Sequence, residues 1–163
     1  VLTRDNEGFR ISDIRSKGGL YVNEERVGRG ARLELGDTGK LADRIESLIR
    51  EQFDLEIPVF VMTKSALEDI LCNAPDWWGG ADKAIYDNLI FMLPPTTFDD
   101  VFAEIGEPKA GMEQIQPYKN AIFWSFSRKD YRKTNWWSKI ASMDIGKKLT
   151  IRTARTVRKI AGM

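Results

Sequence analysis

The chain has 163 residues, 42% of them hydrophobic and 30% charged, enough for one domain or two small ones with a buried core. It contains no histidine and a single cysteine, Cys72. Those absences exclude the Ser-His and Cys-His relays, the HExxH zinc site, the two-His-one-carboxylate iron site, Cys-rich zinc cages and any intrachain disulfide. No run of residues approaches the ~18 apolar positions of a membrane span, and no basic-then-apolar leader opens the chain. A cytoplasmic protein is expected, with no membrane partner, no metal and no cofactor. Whether it is an enzyme stays open. If it is, proton transfer falls to Asp, Glu, Lys, Tyr or Cys.

The net charge of +1 conceals a division along the chain. Residues 1–116 carry 13 basic and 22 acidic side chains, whereas residues 117–163 carry 12 basic ones against Asp130 and Asp144. Such asymmetry marks an anion-binding face, or two lobes that neutralise each other.

In chain order, residues 1–40 are rich in glycine and charge, with short extended pieces at Leu20–Val22 and Ala31–Leu35. The stretch GDTGK fails as a phosphate loop, because Glu34 stands where the motif needs glycine and Leu41 where it needs Ser or Thr. Leu41–Phe53 is an amphipathic helix, with Leu41, Ile45, Leu48 and Ile49 at helical spacing and Asp37 or Thr38 as caps. IPVFVM (Ile57–Met62) reads as a buried strand. Thr63 then caps a helix that reaches about Asn73, and NAPDWWGG breaks it. A strand at Asn88–Leu93 follows, then a Pro94-Pro95 turn and a helix over Phe98–Ile105 that Thr97 caps. MEQIQ and AIFWSF are paired strands joined at Tyr118–Asn120. A helix begins at Ser127 or Asp130 and runs towards Met143. LTIRT is a strand, and Ala154–Ala161 a closing helix.

From Asn88 onward this is the split βαβ order of a ferredoxin-like unit, with helices on one face of an antiparallel sheet. The fold class is therefore α+β. The expected division is a smaller N-terminal part, residues 1–63, and a ferredoxin-like C-terminal domain, residues 64–163.

Together LEDILCNAPDWWGG, YKNAIFWSFS, YRKT and LTIRTARTVRKIAGM resemble the domain-of-unknown-function 1697 family, and RIESLIREQFDLEIPVFVMTKSALEDIL has the same character. The resemblance runs from Leu41 to Met163. It implies two small α+β domains in a bacterial protein and supplies no activity or catalytic residue. The family's usual LLRGINVGG-type opening and YINSGN-type strand have no good counterpart in residues 1–40.

Three groups of residues invite a functional reading. In YRKTNWWSKI, Trp136, Trp137, Ile140 and Ala141 share one helical face, while Ile122, Trp124 and Phe126 share one strand face. Aromatic sheet against aromatic helix reads as core, with one of the paired tryptophans free to lie at the rim. The second group is the closing segment. Ala154, Val157, Ile160 and Ala161 form its inward stripe, and Arg155, Arg158 and Lys159 an outward basic ridge. With Lys147, Lys148, Arg152 and Arg128, extended by Lys129, this ridge is the candidate anion- or phosphate-binding face. The competing reading is a solvated helix whose cations favour its C-terminus. The third is PDWWGG, whose Trp77 and Trp78 either stack on a ligand between the domains or plug a seam.

Cys72 reads as a small core filler rather than a nucleophile. Asp99, Asp100 and Glu104 read as solvated, and a Tyr118–Lys119 proton relay is conceivable. AIFWSFS lacks the glycine and basic residue of an RNA-recognition strand. The favoured function is a non-catalytic binding module for an anionic ligand or nucleic acid. The alternative is a small-molecule enzyme or binder with a tryptophan-lined inter-domain pocket. Oligomerisation through opposite lobes is a third.

Overall fold

The computed structural model describes residues 2–5, 8–11, 21–22, 25–26 and 38–162. The chain divides into two compact units, Val1–Lys64 and Ser65–Met163. In the first, β1 (Leu2–Asp5) pairs antiparallel with β2 (Gly8–Ile11), and β3 (Tyr21–Val22) with β4 (Glu25–Arg26). The extended piece expected at Ala31–Leu35 lies outside the described residues. Helix α1 spans Thr38–Phe53 and buries Leu41. It ends on Asp54 in the left-handed region (φ 53°), whose N–H donates to Arg50 O at 2.9 Å.

Ile57–Met62 is not the buried strand that its β-branched composition predicts. It adopts no strand, Ile57 is 49% exposed, and the Val59 N–H donates to the Glu46 carboxylate at 2.7 Å. A strand needs a ladder partner for its backbone groups, and none of the described residues supplies one here.

The second unit holds α2 (Lys64–Cys72) from Ser65 onward, β5 (Ile85–Met92), α3 (Phe98–Ile105), β6 (Glu113–Tyr118), β7 (Ala121–Ser127), α4 (Asn135–Ser142), β8 (Leu149–Thr153) and α5 (Ala154–Ala161). Its four strands form one antiparallel sheet in the order β6-β7-β5-β8. That is the arrangement a split βαβ unit requires: β7 lies between β5 and β6, and β8 closes the far side of β5. The structure is α+β, as the order of elements implied.

Two helices cover one face of this sheet. Ile90, Met92, Ile122, Trp124, Phe126 and Leu149 pack there with Val101 and Ile105 of α3 and Trp136 of α4. Trp124 and Trp136 are fully enclosed, and burying such a ring contributes about 1.5–3 kcal/mol. Helix α3 starts with a reciprocal cap: Thr97 Oγ1 accepts from the Asp100 N–H, and Asp100 Oδ2 accepts from the Thr97 N–H at 2.8 Å. The start of α4 comes later than the sequence implied. Tyr131–Lys133 is a separate 3₁₀ turn, and Thr134 precedes the α-helix.

The opposite face is covered as well. Alternation turns Leu89, Phe91 and Phe123 to that side, and all three are buried. Trp78 meets Phe123 edge-on, ring centroids 5.1 Å apart, and Arg158 of α5 lies over Trp78. Helix α5 and the loop 75–80 thus shield a face that the four-stranded unit alone would leave open. In α5, Ala154, Val157 and Ala161 are buried as expected, but Ile160 is 54% exposed. At 100° per residue it sits roughly 60° to the wrong side of Val157, while Ala161 and Ala154 fall to the other.

Candidate functional site

The closing helix begins where β8 ends. Thr153 caps it by accepting from the Thr156 N–H, and Gly162 ends it in the left-handed region (φ 79°), donating to Arg158 O and Lys159 O. On this helix Arg155 and Lys159 are one turn apart and point the same way. With Arg158, Ala154, Gly162 and the loop residues Gly79 and Gly80 they line an open depression of about 580 Å³. Two motifs read separately in the sequence, the basic ridge and PDWWGG, therefore meet at one place.

Their meeting assigns Arg158 a structural task. Its Nη1 donates to Gly79 O at 2.8 Å, and its guanidinium carbon lies 5.6 Å from the Trp78 ring centroid. Gly79 has φ 77°, and a Cβ there would stand 2.3 Å from Arg158 Nη2. Trp78 is buried, its Nε1 donating to Asn88 O at 2.7 Å. Trp77 is half-buried. The loop is thus anchored through Trp78, and Arg158 is clasped to it. Among the described residues neither Arg155 nor Lys159 pairs with a carboxylate.

The other basic residues do not line this depression. Lys147 pairs with Asp144 at 2.7 Å, both side chains exposed on a 3₁₀ turn, and Lys148 follows in the same turn. The Asp144 carboxyl is held below its ordinary range by the Lys147 hydrogen bond. Arg152 donates to the neighbouring Ile151 O at 2.7 Å. Arg128 stacks over Tyr86, 4.2 Å from its centroid.

YRKTNWWSKI serves two purposes. Trp136 is fully buried, its Nε1 donating to Gly106 O at 3.0 Å, whereas Trp137 is 41% exposed. Ala141 is exposed too. Cys72, expected as core filler, is exposed at the end of α2. The buried stripe of that helix is Leu67 and Ile70, and a position two beyond Ile70 points away from it. Tyr118 and Lys119 do come together with a third group. Both reach Asp69 of α2, Lys119 Nζ at 2.6 Å and Tyr118 Oη at 3.3 Å. Lys119 sits at φ 52° in the turn between β6 and β7.

One functional-looking carboxylate escaped the sequence reading. Glu113 is 5% exposed, yet it accepts from Trp124 Nε1 at 3.0 Å, Lys109 N at 2.9 Å and Asn135 N at 2.6 Å, and from Trp136 N. It fixes the start of α4 to the sheet. Its signal was an acid two positions before Ile115, on the face that alternation assigns to the core. No buried side-chain nitrogen or oxygen among the described residues lacks a partner. Nor do three metal-ligating side chains cluster among them, and no described helix is long and apolar enough to cross a membrane.

The sheet order and the two covered faces define a small α+β protein built on a split βαβ unit. The family described as Protein of unknown function (DUF1697) matches residues 32–123, and the chain belongs to it. Among solved structures it is similar to a conserved bacterial protein from Streptococcus pneumoniae, at 24% identity and a TM-score of 0.67, covering 79% of this chain and 71% of that one. That likeness concerns the fold. No curated protein matches the chain.

Proposed function

We propose that the protein is a binding module whose α5 depression takes a phosphate or similar anionic group. The observation that carries this is the pairing of Arg155 and Lys159 one turn apart, without a counter-charge among the described residues, beside the Gly79–Gly80 backbone. Like charges at this spacing disfavour the bare helix by a few tenths of a kcal/mol. An anion seated between them removes that repulsion and gains charge-assisted hydrogen bonds. Arg158, held by Gly79 and Trp78, sets the wall of the depression rather than swinging freely towards a ligand. Lys148, Arg152 and Arg128 add to the long-range positive field but not to the contact.

The test is calorimetric titration with inorganic tripolyphosphate at low and high salt, with the Arg155→Ala/Lys159→Ala variant alongside. The expected result is micromolar binding that weakens with salt and is lost in the variant. Absence of binding at low salt, or binding that the variant retains, refutes the reading and leaves the ridge as solvated charge on the last turns of a helix.

A further inference from the structure

The exposed tryptophan of α4 stands within a row of rings that the depression does not use. Trp137 meets Tyr131 edge-on at 4.9 Å and Phe126 at 5.9 Å, and Phe126 meets Tyr86 at 5.6 Å. Phe126 is buried, so Tyr86, Trp137 and Tyr131 present the row at the surface. A guanidinium lies at each end. Arg128 covers Tyr86 at 4.2 Å, and Arg132 lies 5.5 Å from the Tyr131 centroid while its Nε donates to Tyr131 Oη at 2.8 Å.

This arrangement orients both arginines in advance. Arg128, stacked on Tyr86, has its face occupied and its edge donors directed outward, the geometry that receives phosphate oxygens. Arg132 is held at the Tyr131 hydroxyl through Nε and keeps its terminal Nη groups for a ligand. Neither arginine pairs with a carboxylate among the described residues, and the nearby Asp130 is bound to Lys133 at 2.7 Å. The surface is therefore cationic as well as aromatic. No ring stacks face to face on Trp137 among the described residues.

We infer that this surface binds single-stranded nucleic acid, with a base stacked on Trp137 and phosphates held by Arg128 and Arg132. Flat groups alternating with negative charge are what such a strand offers. An acidic peptide supplies the charge without a flat group for the indole, and a duplex keeps its bases paired inside. The sheet cannot serve as the stacking platform that RNA-recognition modules use, because Phe91 and Phe123 are both buried, Phe123 against Trp78. The rim of α4 takes that place. This site is independent of the α5 depression, and the two are separable by variant.

The experiment is fluorescence anisotropy with a labelled oligodeoxythymidine 12-mer in a salt series, using the full chain. Five proteins are compared: unaltered, Trp137→Ala, Trp137→Phe, Arg128→Gln/Arg132→Gln, and Arg155→Ala/Lys159→Ala. Expected are salt-sensitive binding with quenched tryptophan emission and a loss of about tenfold in Trp137→Ala. Near-complete restoration in Trp137→Phe and no change in Arg155→Ala/Lys159→Ala are expected too. Circular dichroism checks that each variant is folded, and Trp137→Phe keeps a ring against Tyr131 and Phe126 that Trp137→Ala removes. No binding at low salt overturns the inference. So do unchanged affinity in Trp137→Ala, equal affinity for a duplex of the same length, and equally effective competition by polyglutamate.

Discussion

Glu113 and Asp69 are two carboxylates with opposite surroundings. Glu113 is enclosed and accepts from an indole and from three backbone N–H groups. Removing it strands those donors in the interior, each costing about 1–3 kcal/mol if water cannot replace it. Glu113→Ala is expected to lower unfolding stability by about 3 kcal/mol or more in urea, and Glu113→Gln to recover only part, since its amide faces donors. Asp69 is open to solvent, and its effect is read through pH. The hydrogen bond from Lys119 holds the Asp69 carboxyl below its ordinary 3.8, and the same bond raises Lys119 above 10.5. A lowered carboxyl contributes fully above pH 3.8 and is lost as pH falls through its folded value. A raised ammonium contributes fully below pH 10.5 and is lost as pH rises through its own. The pair is thus expected to hold α2 at the β6–β7 turn across neutral pH and to release it at both extremes. Side-chain NMR titration checks this, and Asp69→Asn is expected to bring Lys119 back towards its ordinary range.

Among the elements, α3 and α4 stand or fall together. The reciprocal Thr97–Asp100 cap starts α3, and its hydrogen bonds hold the Asp100 carboxyl below 3.8. The end of α3 is held by α4, because Asn135 Nδ2 and Lys139 Nζ both donate to Ile105 O, and Trp136 Nε1 donates to Gly106 O. Carbonyls at a helix end otherwise lack partners. Thr97→Ala is expected to cost about 1 kcal/mol and to let the Asp100 titration move up towards 3.8, measured by denaturation and NMR. The cap was legible in the sequence because it is local, spanning Thr97 to Asp100. The clamp on Ile105 was not, since Asn135 lies 30 residues away.

For the whole molecule, the buried apolar residues of the second unit pack around its own sheet on both faces. Such a unit has what independent folding needs. A fragment of residues 63–163, which keeps the residue before α2, is expected to unfold cooperatively and to retain the near-ultraviolet signal of its buried tryptophans. A non-cooperative transition would show that the first unit is required. The charge division of the sequence has a structural counterpart only in part. Arg155 and Lys159 gather at one depression, but Lys147 is neutralised by Asp144 and Arg128 is drawn to Tyr86. Net charge along a chain counts groups, and the fold decides which of them remain available.

The sequence by itself determined the α+β class, the order of elements from β5 onward, the cap at Thr97, the core face of β7, and the exclusion of histidine relays and Cys-rich metal cages. Each is set by short-range periodicity, backbone chemistry or composition. It misplaced Ile57–Met62, Ile160 and Cys72, where burial depends on what an element packs against rather than on its own pattern. Only the tertiary structure decided that Glu113 anchors α4, that Arg158 is clasped by Gly79 and Trp78, and that Trp136 turns inward while Trp137 faces solvent. Polar and aromatic side chains far apart in sequence find their partners through docking of whole elements, and no local signal encodes that choice.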